Sequence, residues 1–109
     1  MLKSLGGGSG SGSGSGASTQ FSDVTGNTTL SASNTAVAVN ATGGAVTITL
    51  PTAVGDTNLY TIKKTDSSAN TVTVVGNGGQ TIDASANAII TQQYTSITLK
   101  SDNSNWFII

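Results

Sequence analysis

AVAVNATGGAVTITL (residues 36–50) carries the pattern that decides the fold. Val37 and Val39 alternate with Ala36 and Ala38; then, beyond Asn-Ala-Thr-Gly-Gly, Val46, Ile48 and Leu50 alternate with Thr47 and Thr49. Successive side chains of a strand point to opposite faces, so a two-residue period places the larger aliphatics on one face and Ala or Thr on the other. Outward from this stretch the same period returns. Tyr60 and Ile62 alternate with Thr61 and Lys63, Val72 and Val74 with Thr71 and Thr73, and Ile97 and Leu99 with Thr98 and Lys100. The intervening residues 40–44, 51–57, 65–70, 76–79 and 101–105 are rich in Gly, Asn, Asp and Ser, which tolerate or preset turn geometry. Turns at about ten-residue spacing predict an all-β domain, a small antiparallel sandwich or barrel. No long window shows a 3.6-residue apolar stripe, so helix is expected to be nearly absent.

Upstream of the strands the composition changes. Residues 6–16 read GGGSGSGSGSG, a tract that loses much backbone entropy on ordering and has almost no side chain to recover it. Residues 1–17 are therefore expected to be an anchor peptide on a flexible Gly/Ser arm, with Leu2, Lys3 and Leu5 as the anchoring side chains, and residues 18–109 the all-β domain. The tract reads either as a native arm or as an engineered linker. Its root-mean-square reach is about 18 Å, so whatever Leu2 and Leu5 bind lies near the base of the domain. The first five residues contain no apolar run of signal-peptide length, and no stretch in the chain is long and apolar enough to insert in a membrane.

Of 109 residues 5% are aromatic, leaving Phe21, Tyr60, Tyr94, Trp106 and Phe107 to fill a core that usually relies on large rings; an oligomer is expected on that ground. Charged residues are 8%, the net charge is −1 and arginine is absent, so the electrostatic footprint of a nucleic-acid partner is missing. There is no cysteine, which excludes disulfides, thiolate metal sites and cysteine nucleophiles.

Catalysis at neutral pH usually draws on His, Cys or carboxylate pairs, and the chain has no His, Cys or Glu. Asp23, Asp56, Asp66, Asp83 and Asp102 each stand beside turn residues, where Asp commonly bonds its own backbone two residues on. No catalytic, cofactor-binding or metal-ligating residue is assigned. Asp102-Asn103-Ser104-Asn105 lacks the Gly and Glu of a calcium loop, and Gly76-Asn77-Gly78-Gly79 lacks the Lys-Ser/Thr pair of a phosphate cradle; both read as turns. Lys63-Lys64 is read as a pair on opposite faces of a strand, keeping an edge soluble. Tyr94 and Trp106 could each present a ring to a glycan, and core packing is the plainer reading for both. Trp106, Phe107, Ile108 and Ile109 form an apolar run that demands burial, either as a last strand closing the core or as a trimer interface around a threefold axis.

Tyr60-Thr61-Ile62-Lys63-Lys64, then Thr81-Ile82-Asp83, then Tyr94-Thr95-Ser96-Ile97-Thr98-Leu99, then Ser101-Asp102 leading to Asn105-Trp106 occur in an order that resembles modules at the C-terminal ends of tailed-phage virion proteins: tail fibres, tailspikes and other surface appendages. The segment from Thr47 to Ala53, TITLPTA, is similar to the region that precedes them. Ala84 departs from the pattern, which has glycine after Ile-Asp. The resemblance implies a homotrimeric β structure on the virion surface. With a short arm in place of a long shaft, it implies a capsid decoration, cement or head-spike protein, attached to the major capsid protein or another virion protein through its N-terminal arm. The alternative is a tail-fibre or tailspike tip that recognises a host surface glycan or receptor. A bacterial adhesin repeat and an engineered display scaffold are further readings, and the chain shows no tandem copies.

Overall fold

The computed structural model describes residues 20–109. Among the described residues strand makes up 42% and helix 3%, which bears out the all-β class. The strands are β1 (Ser22–Val24), β2 (Thr28–Thr29), β3 (Ala36–Val39), β4 (Val46–Thr49), β5 (Leu59–Lys64), β6 (Val72–Val75), β7 (Asn87–Ile90), β8 (Ser96–Ser101) and β9 (Trp106–Ile108). They form a five-stranded sheet ordered β1-β3-β5-β8-β9 and a four-stranded sheet ordered β2-β4-β6-β7.

The antiparallel arrangement expected from the turn spacing is corrected. β1, β3 and β5 run parallel in one sheet, and β2, β4 and β6 run parallel in the other. The chain thus alternates between sheets and winds forward as a coil, β1 to β2, β3 to β4, β5 to β6. Parallel neighbours need a long connection, and here the strand of the opposite sheet supplies it. The segments that read as hairpin turns are corners that carry the chain across. Beyond β6 the winding ends: β7 returns antiparallel beside β6, β8 antiparallel beside β5, and β9 antiparallel beside β8. Both sheets are therefore mixed.

The two-residue period places the core as expected. Val37, Val39, Val46, Ile48, Leu50, Tyr60, Ile62, Val72, Val74 and Leu99 are all buried between the sheets. The registers stack Val46 on Val72 and Ile90, and Val37 on Ile62, so each turn of the coil lays aliphatics on the next. Each such side chain contributes about 1.5–3 kcal/mol on burial. The first turn of the coil is poorer. Its core-facing positions hold Ser22, Val24 and Thr28 before Leu30, and only Leu30 is fully buried. β7, absent from the sequence reading, has Ile89 turned outward and 55% exposed, which spoils the alternation that would have marked it.

Residues 82–85 close a two-residue turn. Ile82 N–H donates to Ser85 O and Ser85 N–H to Ile82 O, each at 2.8 Å, with Asp83 and Ala84 both left-handed at φ 50° and 65°. That geometry favours Gly at its second position, where a Cβ is strained. Ala84→Gly is expected to stabilise the domain by about 1 kcal/mol, read as a higher urea midpoint with unchanged m-value. A lower midpoint would refute the strain. The turn also closes the edge of the five-stranded sheet. Trp106 N–H donates to Thr81 O (2.9 Å), Asp83 N–H to Trp106 O (3.0 Å), and Ile108 N–H to the Asp83 carboxylate (3.1 Å).

Candidate functional site

The ionisable groups inside the domain belong to its corners. Period two carries the inward positions of β5 from Tyr60 and Ile62 to Lys64, whose ammonium lies fully buried. Its three protons meet the Asp66 carboxylate at 2.7 Å, Ser68 O at 3.0 Å and Asp66 O at 3.2 Å. The same carboxylate accepts the backbone N–H of Ala41 at 2.8 Å and of Ser68 at 3.1 Å, and the Ser68 hydroxyl. Asn70 Nδ2 donates to Ala41 O at 2.8 Å. One corner of the coil is thereby fastened to the corner of the next turn. Burial alone would raise the Asp66 carboxyl, but Lys64, Ser68 and the two backbone amides outweigh it and hold it far below the ordinary carboxylate range. A carboxylate so stabilised is a poor base, and the cluster is structural.

At the opposite end Tyr60 donates its phenol proton to Asp56 at 2.7 Å. Burial and the bond to Asp56 push that phenol up to about 12, so it stays neutral. Gln80 bridges this end, its Oε1 accepting Ala53 N–H at 2.8 Å and its Nε2 donating to Thr52 Oγ1 at 3.1 Å. Asp102 accepts the N–H groups of Asn105 and Ser104 at 2.8 and 3.0 Å, bonds that lower its carboxyl and form the expected turn. Asp56 and Asp66 likewise bond the backbone two residues on. Two aspartates differ from expectation: Asp83 reaches across to Ile108, and Asp23 lies within β1. Among the described residues no three His, Cys, Asp or Glu side chains gather as a metal site.

Lys63 and Lys64 do occupy opposite faces, but β5 is the centre of its sheet, so the edge-solubility reading is corrected. The signal that could have revealed Lys64 was its place at the third inward position after Tyr60 and Ile62.

Leu2, Lys3 and Leu5 lie outside the described residues. The C-terminal run divides after its first residue. Trp106 is wholly buried, edge-to-face on Tyr60 with ring centroids 5.4 Å apart, and donates Nε1–H to Pro51 O at 3.3 Å. Its side chain therefore reaches no outside partner. Phe107, Ile108 and Ile109 are exposed. Lys100 stands in register with both Leu59 and Phe107, giving a Leu59–Lys100–Phe107 row on the outer face. Lys100 turns its ammonium aside to Thr57 O at 3.0 Å, so its stem lies among apolar neighbours. Leu59, Phe107 and Ile109 are exposed apolar side chains at this end of the face.

Tyr94 reverses the other expectation. It is not core: the residue is 62% exposed, at φ 67°.

No protein-family model, curated protein or solved structure matches the chain.

Proposed function

We propose that this chain is a non-enzymatic surface protein of a tailed-phage virion, a trimeric capsid decoration or head-spike protein held to its shell by the N-terminal segment. The observation that carries the assembly part is the outward Leu59, Phe107 and Ile109 set on a domain of few charges. Apolar side chains left exposed on one face of a sheet offer a surface on which another protein can pack. The order of the Tyr60, Thr81, Tyr94 and Asn105 motifs supports the phage reading, and the arm-plus-domain plan supports attachment, because three weakly bound arms on one trimer raise each other's effective concentration.

Phe107 faces outward, so Phe107→Asp combined with Ile109→Ser should leave the fold intact. Light scattering is expected to give about three chains for the parent protein, the state that the phage-module resemblance implies, and one for the double variant. A monomeric parent would overturn the trimer, and a trimeric variant would move the interface elsewhere. Co-sedimentation with virions tests the arm: removing residues 1–16 should abolish attachment and leave the mass per assembly near three chains.

A further inference from the structure

We infer that Tyr94 and Lys63, with Gln92 and Gln93 beside them, form a binding site for an acidic saccharide. The inference deepens the glycan-recognition reading of the sequence and is independent of where on a virion the chain sits.

Its starting point is an aromatic residue in the wrong backbone region. Tyr94 has φ 67°, an outlier for a bulky side chain. Folding uses only its backbone: the N–H donates to Lys64 O at 2.7 Å, and the carbonyl accepts Lys63 Nζ at 3.0 Å. Glycine would serve both bonds without strain. The ring adds nothing to the core, being 62% exposed, yet Lys63 Nζ lies 5.8 Å from its centroid and helps to fix it. Strained residues held this way by their surroundings concentrate where a protein meets a ligand.

The neighbours specify the ligand. Among the described residues the only ion pair is Lys64–Asp66, so Lys63 has no carboxylate partner. The acidic residue in register on its face is Asp23, two strands away beyond Ala38 and about 10 Å distant. With one proton on Tyr94 O, the Lys63 ammonium retains donors for an incoming anion. Gln93 donates Nε2–H to Thr65 O at 3.1 Å and keeps its side-chain amide oxygen available; the Gln92 carbonyl accepts Thr95 N–H at 3.2 Å, and its side-chain amide makes no hydrogen bond within the described residues. A single cation without arginine is too little for a phosphate backbone. One cation beside an exposed ring and two amides matches a sugar that has an apolar C–H face, hydroxyls and one carboxylate.

The test titrates the full chain with trigalacturonate and with sialyllactose, against neutral galactotriose and lactose, following amide shifts of residues 91–96. Binding of at least one acidic sugar is expected, with shifts confined to that segment and β5. Tyr94→Gly suits the left-handed backbone, so it should fold at least as well as the parent while binding is lost. Lys63→Gln should weaken acidic-sugar binding by about tenfold and erase the preference over the neutral sugar. Silence from both acidic sugars, or undiminished binding by Tyr94→Gly, would overturn the site; equal binding of the neutral sugars would overturn its acidic character. The light-scattering and co-sedimentation results do not involve the Tyr94 ring, so assembly and recognition fail or stand separately.

Discussion

Lys64→Met is expected to destabilise the domain by about 3–5 kcal/mol, the usual cost of removing one partner from a buried ion pair. The substitution leaves the Asp66 carboxylate buried and strips a donor from two carbonyls, that of buried Asp66 and that of half-buried Ser68. A domain of this size has a total stability of about 5–13 kcal/mol, so the variant should lie close to unfolding at room temperature. Urea denaturation followed by circular dichroism measures the loss, and a cost below about 1 kcal/mol would mean that the ammonium is hydrated in solution. Replacing Lys64 and Asp66 together should cost less than the sum of the single changes, because neither charge is then left alone.

The same pair sets the acid response. The folded Asp66 carboxyl lies below its ordinary value of 3.8, so protons bind the unfolded chain more readily than the native one. The stability it contributes is fully present above that ordinary value and is lost as pH falls towards the folded one. Asp66→Asn should therefore be less stable near neutrality and show a flatter decline below about pH 4 than the parent.

Trp106→Ala is expected to cost about 3–5 kcal/mol, the range for removing a large ring from a core. The indole contacts Tyr60 edge-on and its N–H satisfies Pro51 O, so these two lose a common support, while the backbone bonds of residue 106 to the 81–83 segment remain. Trp106→Phe should recover much of the packing and still cost about 1–2 kcal/mol for the unpaired Pro51 carbonyl. Phe107→Ala, one residue on, should change the stability of the isolated domain by less than about 1 kcal/mol, because that ring faces outward. Trp106 is the one tryptophan of the chain, so its fluorescence reports the parent transition directly: blue-shifted emission in the native state and a red shift on unfolding. Equal costs at positions 106 and 107 would refute the division of this run into a core residue and a surface residue.

Much of this was legible in the chain. Alternation identified β3, β4, β5, β6 and β8 and the face each buries, since burial of Val, Ile and Leu fixes which side of a strand turns inward. It could not identify neighbours. A strand of period two looks the same whether its partner runs parallel or antiparallel, and residues 40–44 or 65–70 suit a corner as well as a hairpin. β1 and β2 are too short to establish a period, with three and two residues. The absence of glycine at position 84 was visible, and the positive φ explains why the difference matters.

What the amino-acid order determined by itself is the all-β class, the positions of the longer strands, the thin charge and the lack of the usual catalytic groups, because these follow from side-chain chemistry and a local repeat. Tertiary structure decided what depends on contacts distant in sequence. It wound the first six strands into a parallel coil, gave Lys64 a carboxylate partner at a corner, drew Trp106 inside and left Tyr94 outside on a strained turn. Local pattern sets the direction of a side chain relative to its own strand; only packing of the whole chain sets what stands opposite it.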